Sequence, residues 1–433
     1  MNRIGLRKEE KAFETRVALI PDQVKTLKEE YGIDFVIEPS NQRAFDEDEF
    51  AKVGAEVIPL KGSGVQVVLG IKEMPNDFFE RDIVYLFFSH TIKGQKYNMP
   101  MLKQIIEVGA TLIDYERVVD EKGRRLIFFG NWAGMAGISD TLRVLGKRLE
   151  FEGLSPNPFA NMKATLELKD LNEVKDEFRL LGRRIKEQGL PKQLTPFIVG
   201  FAGYGNVSRG AQELFDILPH EVVEPENLAK LIPRKDLLYK CVFKEKDTVR
   251  PIDPSEEFDL QDYYNRGTSG YAGIFHEYVD GLTVIMNCIY WADKYPRLIS
   301  KEFIRKHWKD GRRKLRVIGD ISCDIGGAIE FTLKCTNPAE PAFVYLVNED
   351  SIRLGVEGDG PVIMAVDNLP CELPREASTS FGTTLLDFVP ALSKADFKKP
   401  FEDLDLPKSM RDAVIVYRGN LTKNYEYLKE YLN

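Results

Sequence analysis

One stretch limits what this chain can fold into more than any other: Gln193–Leu218, QLTPFIVGFAGYGNVSRGAQELFDIL. Phe197–Ala202 is apolar and strand-like, and Gly203-Tyr204-Gly205-Asn206-Val207-Ser208 turns it into a helical pattern. Strand, glycine turn and helix form the setting in which a GxGxxG fingerprint operates, here as GxGxxS. Gly203 permits the tight turn. Gly205, without a Cβ, lets the backbone approach a pyrophosphate. The helix opening at Asn206 and Val207 aims free N–H groups and a positive dipole end at phosphate. Ser208 replaces the third glycine, whose use is close helix packing, and a small residue serves there. The plain alternative is a tight turn without a ligand.

The segments around this turn alternate. Asp22–Tyr31 is helical and ends at Gly32. Ile33–Glu38, Val65–Lys72, Ile83–His90 and Thr111–Tyr115 are apolar runs of the kind that form buried parallel strands. Leu126–Phe129 (LIFF) reads as a further strand and Trp132–Phe151 as a helix. Strands are expected again at Glu221–Val223, Leu282–Met286, Leu315–Asp320 and Val362–Val366, with helix from Pro374 on. Alternation of this kind predicts α/β architecture with parallel sheets. The 433 residues suit two Rossmann-like lobes, with the C-terminal tail returning to the first.

Composition narrows the chemistry. There are 60 Lys+Arg and 68 Asp+Glu, a formal charge of −8, which argues against bulk attraction to nucleic acid. No run is long and apolar enough to span a membrane. The cysteines at 241, 288, 323, 335 and 371 form no CxxC pair, which argues against a disulfide framework or structural zinc. The four histidines, at 90, 220, 276 and 307, have no metal-binding spacing, so no metal is expected. A reducing, cytoplasmic setting follows, since the N-terminus lacks an apolar leader.

In open parallel sheets ligands bind at the carboxyl ends of strands. Lys72 and His90 close two strands of the first third, so parallel neighbours would bring both into one cleft. Burial lowers a lysine pKa, and histidine titrates near neutrality, so both suit proton transfer. The alternative makes Lys72 a solvent-facing terminus partnered by Glu73 and His90 a loop donor. Arg16, Arg124 and Arg125 suit recognition of carboxylates. Glu224, about 20 residues past the fingerprint, is placed to bind the adenosine ribose, which favours NAD, whereas Arg209 could accommodate a 2′-phosphate. Asn287 and Asp320–Ser322 end strands of the nucleotide lobe. Cys288 and Cys323 are candidate nucleophiles or, more ordinarily, inert buried thiols.

In order along the chain stand ETRVALIPDQV, IEPSNQRAF, VVLGIKEMP, FFSHTIKGQ, LIDYERVVDEKGRR, GNWAGMAG, GYGNVSRGAQELFDILPHEVVEP, MNCIYW, GDISCDIGGAIEF, VEGDGP, DNLPCELPREAS and RDAVI. On these segments the chain resembles the lysine–2-oxoglutarate reductase portion of bifunctional aminoadipic semialdehyde synthases. It is similar, more distantly, to lysine-forming saccharopine dehydrogenases, with an alanine dehydrogenase/transhydrogenase-like fold. The resemblance implies a substrate lobe of residues 1–131 plus about 362–433, a dinucleotide lobe of 132–361, and an active site in the cleft between them. It implies catalytic Lys72 and His90. Substrate or tuning positions fall on Arg16, Gln95, Glu116, Arg125 and Phe129. Cofactor positions fall on Gly203, Gly205, Asn206, Val207, Glu224, Asn287, Asp320 and Ser322. The implied reaction condenses lysine with 2-oxoglutarate to saccharopine using NAD(P)H. The bifunctional reductases generally use NADPH while Glu224 favours NAD, so the choice stays open. Partners are expected to be these small molecules, and a homo-oligomer is compatible with the sequence. No second dehydrogenase unit follows, so a stand-alone reductase is expected. The competing readings are an amino-acid dehydrogenase of the alanine type and a non-catalytic ligand-binding relative.

Overall fold

The computed structural model describes residues 1–309 and 314–432. The chain divides into two compact units, Met1–Phe129 with Pro374–Asn433, and Gly130–Leu373.

The first unit opens with strand β1 (Ile4–Leu6) and helix α1 (Pro21–Tyr31). Pro21 has no N–H to leave unpaired, the Gln23 side chain reaches back to the Ile20 N–H at 3.0 Å, and Gly32 ends the helix at φ 68°. Then come β2 (Phe35–Ile37), α2 (Glu47–Lys52), β3 (Glu56–Val57), β4 (Val67–Leu69), β5 (Val84–Phe87), α3 (Met99–Val108) and β6 (Thr111–Asp114). The second unit carries α4 (Gly130–Phe151), α5 (Leu171–Gln188), β7 (Ile198–Ala202), α6 (Asn206–Phe215), β8 (His220–Val223) and β9 (Leu238–Phe243). An excursion follows: α7 (Glu245–Thr248), β10 (Val249–Pro251), α8 (Leu260–Arg266) and β11 (Tyr271–Gly273). The unit closes with β12 (Val284–Asn287), β13 (Val317–Asp320), β14 (Ala342–Leu346), β15 (Ser351–Leu354) and β16 (Val362–Met364). The tail adds α10 (Pro374–Leu385) after α9 (Lys301–Lys309), then β17 (Val414–Tyr417) and β18 (Asn420–Leu421).

Among the described residues the first sheet runs β18-β17-β6-β5-β4-β1-β2-β3 and the second β15-β14-β16-β13-β12-β7-β9-β8. The central strands of each are parallel; β14, β15, β17 and β18 are antiparallel additions. Both faces are buried, which explains the unbroken apolar runs. On β5, Val84 and Leu86 enter one core and Tyr85 and Phe87 the other. On β7, Val199 and Phe201 face one side and Ile198 and Ala202 the other. Each sheet has a switch point where strand order reverses, at β1/β4 and at β7/β12.

Four expectations are corrected. Leu126–Phe129 forms no strand; Arg125 makes an isolated bridge to Val119 and the segment runs on as coil. Val362–Met364 does not begin the returning tail but pairs with Val317–Gly319 of the second sheet, so the chain re-enters the first unit at Pro374. The tail is not helical throughout, because Val414–Tyr417 pairs antiparallel with β6. The strands before Lys72 and His90 stop at Leu69 and Phe87, so both residues stand in the loops just beyond.

Helices α4 and α6 pack backbone to backbone. A Cβ on Gly134 would stand 1.9 Å from the Val207 carbonyl oxygen, and one on Gly210 would stand 2.0 Å from that of Asn131. The buried Ser208 tolerates its side chain, so Gly210 and Gly134 do the packing task read into position 208. Gly134→Ala is therefore expected to lose about 1–3 kcal/mol of stability in urea titration, as over-packing does. Gly281→Ala, where a Cβ meets no atom within 4 Å, should stay within about 0.5 kcal/mol of wild type.

Candidate functional site

The first unit assembles a row of ionisable groups past the carboxyl ends of β1, β4, β5 and β6. β1 and β4 flank the switch point, and the loop after β1 reaches across it. The Glu9 carboxylate accepts the backbone N–H groups of Ile71 (2.6 Å) and Lys72 (2.9 Å), which fixes the turn carrying the lysine. Burial and the nearby Glu14 push the Glu9 carboxyl up to about 7, against those hydrogen bonds. Lys72 is itself pushed below the usual lysine range, first by burial and then by the positive charges of Arg16 and Lys11; Glu14 and Glu73 pull the other way.

His90 follows β5. Its backbone is left-handed (φ 49°), a conformation that costs a non-glycine residue strain. The buried Asn98 secures it by donating from Nδ2 to the carbonyl oxygens of Ser89 (3.0 Å) and His90 (3.3 Å). The ring Nδ1 lies 2.5 Å from Glu73 Oε1. Burial raises the Glu73 carboxyl, but the hydrogen bond and charge of His90 outweigh it and hold the group at about 2. An ionised Glu73 accepts, which assigns the Nδ1 proton and leaves Nε2 for proton exchange. Glu73 is thus the partner of His90 rather than the solvent-side partner of Lys72. Ser89 anchors the same loop through its N–H (3.1 Å) and hydroxyl to Asp114, whose carboxyl burial pushes up to about 6.

The other expected substrate residues lie in the same unit. Arg16 is buried, donates from Nε to Glu14 (2.7 Å) and pairs with it again through Nη2. Its guanidinium lies over the Phe129 ring at 4.2 Å, and Phe129 stacks on Phe381 from the returning tail. Arg125 is exposed and paired with Glu116, whose N–H binds Asp114. Arg124 forms an exposed pair with Asp120. The Gln95 side chain accepts the Lys93 N–H at 3.1 Å within its own loop. Glu9, Asn98 and Asp114 were not singled out from sequence, and Glu73 only as a partner for Lys72; the run Gly70-Ile71-Lys72-Glu73 and the end of TLID were the available signals.

The second unit carries the glycine turn at its own switch point. Gly203 has φ 94°, and a Cβ there would meet Ile289 at 3.1 Å. A Cβ on Gly205 would meet nothing within 4 Å, so a pyrophosphate has room at the start of α6. At the ends of β12 and β13, Asn287 donates to Asp320 (2.8 Å), which also accepts from Thr332 (2.6 Å). Burial pushes the Asp320 carboxyl up to about 6, and Asn287 Oδ1 is buried with no hydrogen-bond partner among the described residues. Ser322 donates to the Ile289 carbonyl. Glu224 is exposed at the end of β8, which is the sheet edge rather than the neighbour of β7. Cys288 is buried, and burial pushes its thiol well above the usual range.

The family model for the alanine dehydrogenase/PNT N-terminal domain matches residues 5–136, and that for the C-terminal domain matches residues 274–424. The chain belongs to the alanine dehydrogenase/PNT family. It is 38% identical to an alpha-aminoadipic semialdehyde synthase of Arabidopsis thaliana, over 96% of this chain and 40% of that protein. It is 33% identical to the mitochondrial alpha-aminoadipic semialdehyde synthase of Bos taurus, over 99% of this chain and 47% of that protein. The chain thus spans less than half the length of these two relatives. A saccharopine dehydrogenase [NAD(+), L-lysine-forming] of Emericella nidulans is 28% identical over 89% of this chain and 90% of that one. Among solved structures an L-alanine dehydrogenase superposes with a TM-score of 0.62 at 20% identity, covering all of both chains, a likeness of fold within the family.

Glu9 gives a pH test of this site. Its carboxyl is raised from 4.5 to about 7 on folding, so the folded state holds more protons across that window. Its contribution to stability is full below about 4.5 and is lost as pH rises to about 7. Glu9→Gln should remove that decline, on the order of 3 kcal/mol between the two ends. The wild-type minus variant difference in urea stability, measured across pH, checks it; a difference flat with pH would show that Glu9 does not titrate there.

Proposed function

We propose that this protein is an oxidoreductase that condenses L-lysine with 2-oxoglutarate to saccharopine at the expense of NAD(P)H, and that the reaction runs reversibly. The observation that carries this is the pairing of an acidified Lys72 with a Glu73-held His90 just past neighbouring parallel strands. The relative named as a lysine-forming saccharopine dehydrogenase, similar over 89% of this chain, supports it.

The chemistry needs a neutral amine, a proton for the departing oxygen and charges to hold carboxylates. Lys72, held below the usual range, is unprotonated for a larger share of the time near neutrality and accepts a proton from the substrate ε-ammonium. The freed amine attacks the ketone carbon to give a carbinolamine. With protons on both ring nitrogens, His90 donates from Nε2 to its hydroxyl as water leaves, keeps Nδ1–H on Glu73 and is left neutral, and loss of the remaining N–H proton leaves an imine. A reduced dinucleotide held through its pyrophosphate at the glycine turn would supply the hydride that reduces this imine. Arg16 and Arg125 already hold Glu14 and Glu116, so a substrate carboxylate joins as a further acceptor, which the five N–H donors of a guanidinium permit. Phe129 supports the Arg16 plane, and Gln95 and Glu116 border the same loops. Gly203, Gly205, Asn206 and Val207 would hold the pyrophosphate, and the unpartnered Asn287 Oδ1 offers an acceptor beside Asp320 and Ser322.

In this reading the first unit binds the substrates and the second the dinucleotide. Cytoplasmic location is part of the proposal; among the described residues no helix is long and apolar enough to cross a membrane.

With lysine, 2-oxoglutarate and each reduced nicotinamide, the purified chain should consume the reduced cofactor. Lys72→Met and His90→Gln should each lower turnover roughly 10²–10⁴-fold while dinucleotide binding persists. Consumption with pyruvate and ammonia, and none with lysine and 2-oxoglutarate, would sink the reading.

A further inference from the structure

The strand beside the fingerprint strand β7 is not the next in sequence. β9 lies between β7 and β8. Ala202 is in register with Phe243, and the Gly203 N–H binds the Phe243 carbonyl at 2.9 Å. Gly203 and Tyr204 of the turn therefore run alongside Lys244 and Glu245. On the far side Val223 is in register with Cys241, so Glu224 lies beside Val242, two strands from β7 and roughly 10 Å away at ordinary strand spacing. An acidic residue that reads ribose hydroxyls acts from the strand adjacent to the fingerprint, where the nucleoside turns away from the pyrophosphate. In this chain Glu245 occupies that place.

A cavity of about 650 Å³ opens there. The glycine turn, Lys244–Glu245 and the excursion after β9 line it, with Tyr263, Tyr264 and Tyr295 among its walls. Aromatic walls suit a flat heteroaromatic ring. The Tyr264 hydroxyl donates to Glu245 Oε1 at 2.7 Å, which orients the carboxylate. Of the two lysines on the lining, Lys294 donates to the Tyr264 carbonyl at 3.0 Å and lies over Tyr295, while Lys244 is exposed. Glu245 is the half-buried charge. It can accept two ribose hydroxyls, and it opposes a phosphate on the 2′ oxygen.

We infer that this cavity takes the adenosine end of the dinucleotide and that Glu245, not Glu224, reads the ribose and selects the cofactor without a 2′-phosphate. The inference rests on the dinucleotide reading proposed above. Tyr264 is a positioning residue for that carboxylate. The excursion Glu245–Gly273, which had no role in the sequence reading, becomes the wall of the nucleoside site.

Direct binding of NADH and NADPH to the full chain, followed by nucleotide fluorescence without substrate, tests it. Wild type should bind NADH about tenfold or more tighter than NADPH, as a like-charge opposition implies. Glu245→Gln and Glu245→Ala should each bring the two affinities to within about threefold, and Tyr264→Phe should move the ratio the same way by less. A wild-type preference for NADPH, an unchanged ratio in both Glu245 variants, or a shift produced by Glu224→Ala instead, overturns the inference while leaving the dinucleotide reading intact. Binding of neither nucleotide to wild type overturns both.

Discussion

Two parallel sheets buried on both faces set the terms for everything else in this protein. Their strands are largely apolar, so most of the ionisable chemistry is displaced to the carboxyl ends. At the first switch point the displaced charges hold one another. Glu9 spans from β1 to the turn after β4 and takes two backbone N–H groups, so the position of Lys72 is set by its main chain rather than by a side-chain tether. The loop after β5 is fixed by the same logic, with Asn98 and Asp114 gripping Ser89 and the His90 carbonyl. Lysine and histidine then differ in what surrounds them. Burial and neighbouring cations disfavour charge on Lys72, whereas Glu73 supplies an anion to His90. In the proposed reaction one strand end supplies the base and its neighbour the acid.

In the proposed reading the two units use one architecture for different ligands. In the first, the groups past the strand ends are charged side chains. In the second, the glycine turn presents backbone and open space, and Glu245 stands at the start of α7 just past β9, held by Tyr264. Helix α6 keeps its position because α4 meets it with no side chains between Gly134, Gly210 and the opposing carbonyls. A rigid helix start is what a phosphate needs, since its N–H groups act as a fixed set.

Sequence periodicity was sufficient for β2, β4, β5 and β6 of the first sheet, for β7, β8, β12, β13 and β16 of the second, and for the glycine turn. An apolar strand between turn signals is a local pattern, and all of these are local. Periodicity was not sufficient for the buried β1, β9 and β14, and it carried the strands before Lys72 and His90 too far, to residues that stand in the loops beyond. It failed where the fold is decided at a distance. Nothing in HEVVEPENLAKLIPRKDLLYKCVF says that the later strand inserts beside β7, yet that insertion moves Glu224 to the sheet edge. LIFF is apolar enough for a strand, but with Val119 bridged to Arg125 it buries Ile127 as coil. Val414–Tyr417 pairs with a strand about 300 residues earlier, and long-range pairing leaves no mark within a short window. The partner of His90 was in view as the residue after Lys72; which of the two neighbours it served depended on the turn that Glu9 fixes.

The late arrival of β17 bears on how the molecule is made. Strand β6 is complete by residue 114, but its outer edge finds its partner at Val414–Tyr417. The whole second unit, Gly130–Leu373, leaves the ribosome in between. That unit is contiguous and can condense as soon as its own strands have emerged, while the first must wait with an open sheet edge. The first unit is therefore begun before the second and completed after it, and in the interval the outer edge of β6 is open to pairing with a wrong strand.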